Sequence, residues 1–250
     1  MRLSPPYQLF VICCLLYLTG GVSTSEAQEF SVDELSGIAK VQRSGKDEWE
    51  NIKKGRDIIS GDLIETFFKS RIVLSLGKKT VVIVGPNSKI LCEVAEKQSK
   101  AGSHKEVSIN LLAGGVFVKS TENDLVTVYT STGTIKIGRG ALSAIVEPKM
   151  GETGFQVLEG EAEARNISHH QTRLLSSGQT TLIEPGKEAS PALYITHRHV
   201  AVLKSFFGDE YIANQLSAAG IKPTDDRGVT NQMVMSEPGS RQESQPKSAP

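Results

Sequence analysis

Cysteine is scarce in this chain: three in 250 residues. Two of them, Cys13 and Cys14, lie inside an apolar run near the N-terminus. Removal of that run would leave Cys92 alone and exclude an internal disulfide, so the expected state of Cys92, within Ile90-Leu91-Cys92, is a small buried hydrophobe. Net charge is missing too. Lys and Arg number 28, as do Asp and Glu, which leaves no global field to attract nucleic acid or anionic lipid. Local runs such as Lys46-Asp47-Glu48 and Lys53-Lys54 read as solvated turns. No Cys/His spacing suits zinc, no G-x-S-x-G elbow is present, and no helical period precedes residue 197. A parallel α/β enzyme sheet is thereby excluded, and neither a cofactor nor a metal is expected.

Arg2, the apolar run Leu9 to Leu18 and the small residues of Ser25-Glu26-Ala27 have the layout of a secretory signal peptide. The run falls short of the roughly 20 apolar residues of a spanning helix. Residues 1–27 are therefore expected to be removed before Gln28, giving a periplasmic or secreted protein. The alternative is an uncleaved run that holds the chain at the inner membrane.

From Gly37 to about Ile195 the dominant period is two. Ile38-Ala39-Lys40-Val41, Arg71 to Leu76, Thr80 to Val84, Val107 to Leu111, Val116-Phe117-Val118, Leu125 to Thr130 and Thr134 to Ile137 are β-branched and apolar. Gly, Pro, Asn or charged residues interrupt them every few positions. Many short strands at close spacing predict an all-β domain over residues 28–196. A weak repeat places Leu112 and Leu158 two residues before Gly114 and Gly160, and Gly178 and Gly55 follow apolar positions by three. Glycine tolerates the positive φ of a corner, so the expected architecture is a β-solenoid or a flattened β-sandwich.

After residue 196 the pattern changes. Val200, Leu203, Phe206, Phe207, Ile212 and Leu216 lie near helical spacing, with Asp209 as an N-cap and Gly220 as a stop. One helical segment over 197–220, broken at Gly208, is predicted to dock on the β domain. Residues 221–250 are poor in apolar side chains and are expected to be disordered.

The densest set of turn signals runs from Trp49 to Ser88: Trp49, Gly55, Gly61-Asp62-Leu63-Ile64-Glu65-Thr66, Ser70-Arg71 and Pro86-Asn87-Ser88. Downstream come Val126 to Ile137 with Gly133 at its turn, Glu159-Gly160-Glu161-Ala162, and Leu175-Ser176-Ser177-Gly178-Gln179. This ordered set resembles the FecR domain of bacterial envelope proteins, over about residues 37–184. At Ala141 and Ser143 the family more often has Thr and Phe. The resemblance implies a β-rich periplasmic domain of the kind that relays iron-siderophore status from an outer-membrane transducer to a sigma factor. Fewer than ten residues precede the apolar run, so this chain looks like a freestanding exported version without the cytoplasmic anti-sigma segment.

Chemistry has few candidates. Asp62 and Glu65 fall on opposite faces of an extended strand, a poor arrangement for shared acid–base work. Asp62 suits a turn acceptor after Gly61, and Thr66 suits a strand end. His169 and His170 read as hairpin-loop residues; His197 and His199 could project from one face of an extended segment to hold a metal, but no third ligand is indicated, and exposed loop histidines are expected. Gly138-Arg139-Gly140 is too short for a dinucleotide fingerprint, and Asn166-Ile167-Ser168 is an idle glycosylation sequon in a bacterium. Trp49, Gly55, Gly61, Asp62, Thr66, Pro86, Gly133, Gly160 and Gly178 are thus expected to build turns. The expected function is a non-catalytic envelope binding module whose partner, an envelope protein or a cell-wall glycan, meets strand edges or loops. A regulatory sensor of the sigma-factor type is the second reading, and a polysaccharide-acting enzyme the third.

Overall fold

A computed structural model describes residues 29–77, 79–99, 102–121 and 124–225. The expected signal peptide and the tail beyond Asp225 lie outside the described residues. In chain order the first strands are β1 (Glu29–Ser36), β2 (Ala39–Gln42), β3 (Trp49–Asn51), β4 (Asp57–Ile59) and β5 (Leu63–Thr66). Next come β6 (Arg71–Leu76), β7 (Thr80–Val84), β8 (Lys89–Ser99), β9 (Gly102–Ser120) and β10 (Leu125–Tyr129). Then follow β11 (Gly133–Val146), β12 (Thr153–Asn166), β13 (Thr172–Ser176), β14 (Gln179–Ile183) and β15 (Leu193–Tyr194). Helices α1 (His197–Phe207) and α2 (Asp209–Ala218) close the described chain.

These strands form one open sheet, all antiparallel except for the parallel pair β9–β10. The fold is all-β with two short helices. It is the flattened sandwich of the two expected forms, because stacked solenoid coils need parallel pairing throughout. The sheet doubles over at three glycines. In β9, residues up to Ala113 pair with β8 and β10, while Gly114–Ser120 pairs with β7 and β11. In β11, Thr134–Ile137 pairs with β10 and Gly140–Val146 with β9. β12 bends with it at Gly160. Three long strands thus belong to both layers, where the periodicity predicted separate short ones. Positive φ values of +79° at Gly114 and +83° at Gly160 turn the chain without ending the ladder.

Burial follows from this doubling. Strands covered on one face alternate: β6 places Ile72, Leu74 and Leu76 in the core between the layers. β7 is covered on both faces, so Val82 and Val84 enter that core while Ile83 joins a second cluster. The second cluster is the outer face of one layer, where Ile83, Phe117, Ala141, Ile145 and Leu158 meet Leu203, Phe206, Phe207 and Ile212 of the helices. Its floor is flat by composition. A Cβ added at Gly85 or at Gly115 would lie 2.8 Å from the Phe206 ring, and the small Ala141 and Ser143 keep the same surface low. Phe117 meets Tyr211 edge-on at 5.2 Å between centroids.

The helix boundaries differ from the sequence reading. Thr196 caps α1, and His199 answers with a reciprocal bond to the Thr196 backbone. His199 is therefore a buried capping residue on a helix, not an exposed loop histidine. Gly208, at φ +101°, separates the helices and occupies the N-cap position expected of Asp209, which begins α2. Arg71 Nη1 donates to the Phe207 carbonyl at 2.7 Å, tying the end of α1 to β6. Ordered contacts run past residue 220: Ile221 packs on the helix cluster and Thr224 bridges Thr196.

Candidate functional site

The turn residues sort into separate corners of the sandwich. Gly61, at φ +90°, turns the chain into β5, and its N–H donates to the Cys92 carbonyl at 2.8 Å. Asp62 follows, fully buried. Its carboxylate accepts from Ile59 N at 3.1 Å, Ser44 N at 3.3 Å and Arg43 Nη1 at 2.5 Å. All three of these bonds come from the fold itself. Glu65 sits half-buried beside Lys40 and Lys89 of the neighbouring strands.

At the other end of β5, Thr66 meets Pro86-Asn87-Ser88. The Thr66 hydroxyl donates to the Gly85 carbonyl at 2.6 Å and accepts from Ser88 N at 2.9 Å. Ser88 Oγ in turn accepts from Gly115 N at 2.8 Å. One strand further along, Ser70 Oγ accepts from Ile38 N at 2.8 Å. Phe67 N–H reaches the Ile38 carbonyl and Asn87 N–H the Phe67 carbonyl, both at 3.2 Å. Hydroxyls therefore join the β1–β2, β5–β6 and β7–β8 turns and the β9 bend into one row. The row continues through a chain of threonines, in which Thr132 donates to Thr153 at 2.7 Å and Thr153 to Thr130 at 3.0 Å. Gly133 completes it, since a Cβ there would lie 2.8 Å from the Arg165 carbonyl.

The remaining motif residues lie elsewhere. Trp49 is on β3 with the Lys89 ammonium 5.3 Å from its ring centroid. Gly55 turns the chain at φ +77°. Gly160 and Gly178 are brought together at the far corner, where Ser177 Oγ donates to the Gly160 carbonyl at 3.2 Å. Sequence reasoning missed Arg43, the partner of Asp62, and Asp124, a buried carboxylate that accepts from Lys105 N at 3.1 Å.

Titratable groups are dispersed. Among the described residues no three His, Cys, Asp or Glu side chains form a metal-binding group. Burial pushes the Cys92 thiol up to about 12, with Asp62 and Glu93 adding to the effect. A thiol so placed is no nucleophile at neutral pH. Desolvation likewise raises the Tyr211 phenol to about 12. A cleft of about 400 Å³ opens between β6 and the start of α2, lined by Glu34, Arg71, Val73, Asp209 and Tyr211.

The edges at β3, β4 and β15 offer little to an added strand. β3 and β4 have three residues each and β15 two. Arginines cover some of their carbonyls: Arg56 Nη1 donates to Asn51 at 3.1 Å and Arg43 Nη2 to Asp57 at 3.0 Å. Exposed apolar tips lie, by contrast, on the turns at Ile38 and Phe68 and at the β9 bulge at Leu112.

The profile of the FecR protein family matches residues 62–163. Two crystal structures of a putative anti-sigma factor from Parabacteroides distasonis ATCC 8503 are similar at 12% identity. The first, at 1.65 Å resolution, has a TM-score of 0.44 and covers 56% of this chain and 63% of its own. The second, at 2.50 Å, has a TM-score of 0.42 and covers 53% and 59%. This chain thus matches about three fifths of the length of either. No curated protein matches it.

Proposed function

Because residues 62–163 match the FecR family profile, we propose that this chain is a non-catalytic interaction module of the bacterial envelope, the sensing part of a cell-surface regulatory system. The family match carries this reading. The chemistry of the motif supports it, because Asp62, Thr66 and Ser88 direct their polar atoms into turns and leave none of them aimed at a substrate. The N-terminal apolar run and the loss of all but Cys92 after cleavage suit an exported protein. Its partner is an envelope protein or a cell-wall glycan.

Deletion of the gene tests this reading. A regulatory module predicts a discrete set of transcripts, governed by one sigma factor, that changes on deletion and is restored by the wild-type chain. Unchanged transcripts, together with a purified protein that cleaves an envelope polysaccharide, would replace it with the hydrolase reading.

A further inference from the structure

We propose that the apolar corner at Ile38, Phe67, Phe68 and Leu112 seats the domain on an anionic lipid surface. Ile38 is 60% exposed, Phe68 65% and Leu112 58%, and Phe67 is partly exposed. Ile38, Phe67 and Phe68 lie on neighbouring turns, and Leu112 at a bulge in β9 close by: Phe67 N–H bonds the Ile38 carbonyl, Asn87 N–H bonds the Phe67 carbonyl, and Lys89 beyond that turn pairs with Ala113, next to Leu112. The turn backbones are held by Thr66, Ser70 and Ser88 hydroxyls, so the tips project from a fixed frame. Scattered apolar residues on a surface are ordinary, but a contiguous set marks a contact site.

Charge identifies the occupant. Lys40 Nζ stands 5.6 Å from the Phe67 ring centroid and Lys69 Nζ 5.3 Å from that of Phe68. Lys53 and Lys54 follow Ile52, whose N–H bonds Ala39 beside Ile38. Lys89 lies on the adjoining strand, and Glu65 between Lys40 and Lys89 is the carboxylate among them. Aromatic rings ringed by lysines match the boundary of a bilayer, where rings enter the headgroup region and ammonium groups meet lipid phosphates. A second copy docked corner to corner would set lysines against lysines.

The test is flotation of the full chain with phosphatidylcholine vesicles, with and without phosphatidylglycerol. Binding should require phosphatidylglycerol and fall as salt rises. Phe68→Asp should weaken it by about tenfold or more, and Lys40→Glu with Lys69→Glu by roughly fivefold or more for each lysine. Leu174→Asp, an exposed site on β13, should leave it unchanged. Matching melting temperatures confirm that the variants fold, and Ile38→Asp repeats the test at a separate turn. Three results overturn the proposal. One is equal binding to both vesicles, insensitive to Phe68→Asp, which assigns it to the N-terminal run. Another is self-association, or capture of an acidic protein, through Phe68 without lipid affinity. The last is no vesicle binding at all. Loss of lipid binding leaves the transcript test of the regulatory reading untouched.

Discussion

Asp62 accepts from two backbone N–H groups and one guanidinium in a site closed to water. Asp62→Ala strands all three donors, and a cost of about 2–4 kcal/mol follows from losing a buried, charge-assisted acceptor. Asp62→Asn keeps one acceptor oxygen but loses the charge, and should fall between the two in chemical denaturation. Glycines separate in the same way. Gly114→Ala and Gly160→Ala combine positive φ with a Cβ 2.6 Å from the Asn87 and Arg139 carbonyls, respectively. Gly55→Ala has a similar φ of +77° but open space around it. Urea midpoints should drop by well over 1 kcal/mol equivalent at the first two and by about 1 kcal/mol at Gly55. The roles of Gly61 and Asp62 were legible because a turn is written in consecutive residues. Arg43 was not, since its contact with Asp62 spans 19 positions and leaves no local mark.

At the scale of elements, the helices close the outer face of one layer. Truncation after Ile195 would uncover Ile83, Phe117 and Ile145 and remove Leu203, Phe206, Phe207 and Ile212. Four such side chains at ~1.5–3 kcal/mol each amount to most of a domain's total of about 5–15 kcal/mol. The truncated chain should therefore be unfolded or aggregated by circular dichroism and light scattering, whereas ending at Asp225 should leave the melting temperature unchanged. Periodicity located β2, β6, β7 and β10 and the helical region, because each keeps one period over its length. It divided β9 and β11 in error. Gly114 and Gly138-Arg139-Gly140 look like breaks in a sequence, but whether a glycine ends a strand or bends it depends on partners that continue alongside, here Asn87, Ser88 and Glu159. Gly85 and Gly115 were silent for a similar reason, as their task is set by Phe206, which follows about 90 or more positions later.

For the whole molecule, a neutral total conceals the lysine-rich corner, which forms only when turns distant in sequence are assembled; the family motif was readable, the surface was not. Cys92 reports on the entire core. In the folded state the thiol stays protonated to about 12, against 9.0 for an exposed one. Above pH 9 the unfolded chain loses that proton and the folded chain does not, so stability is full below pH 9 and declines between 9 and about 12. Near pH 10 the decline should be on the order of 1 kcal/mol, and Cys92→Ala should remove that part of the pH dependence in urea melts at pH 7 and pH 10. A thiol reagent at pH 8 should label Cys92 only as fast as the core opens. The bends at Gly114, Gly140 and Gly160 also set how the molecule bears load. Layers joined only by loops can part like the covers of a book, but here β9, β11 and β12 are common to both and act as rigid brackets. Pulled from Glu29 and Asp225, the chain should peel β1 and the helices from its margins first, and the bracketed corner should yield last, at the highest force.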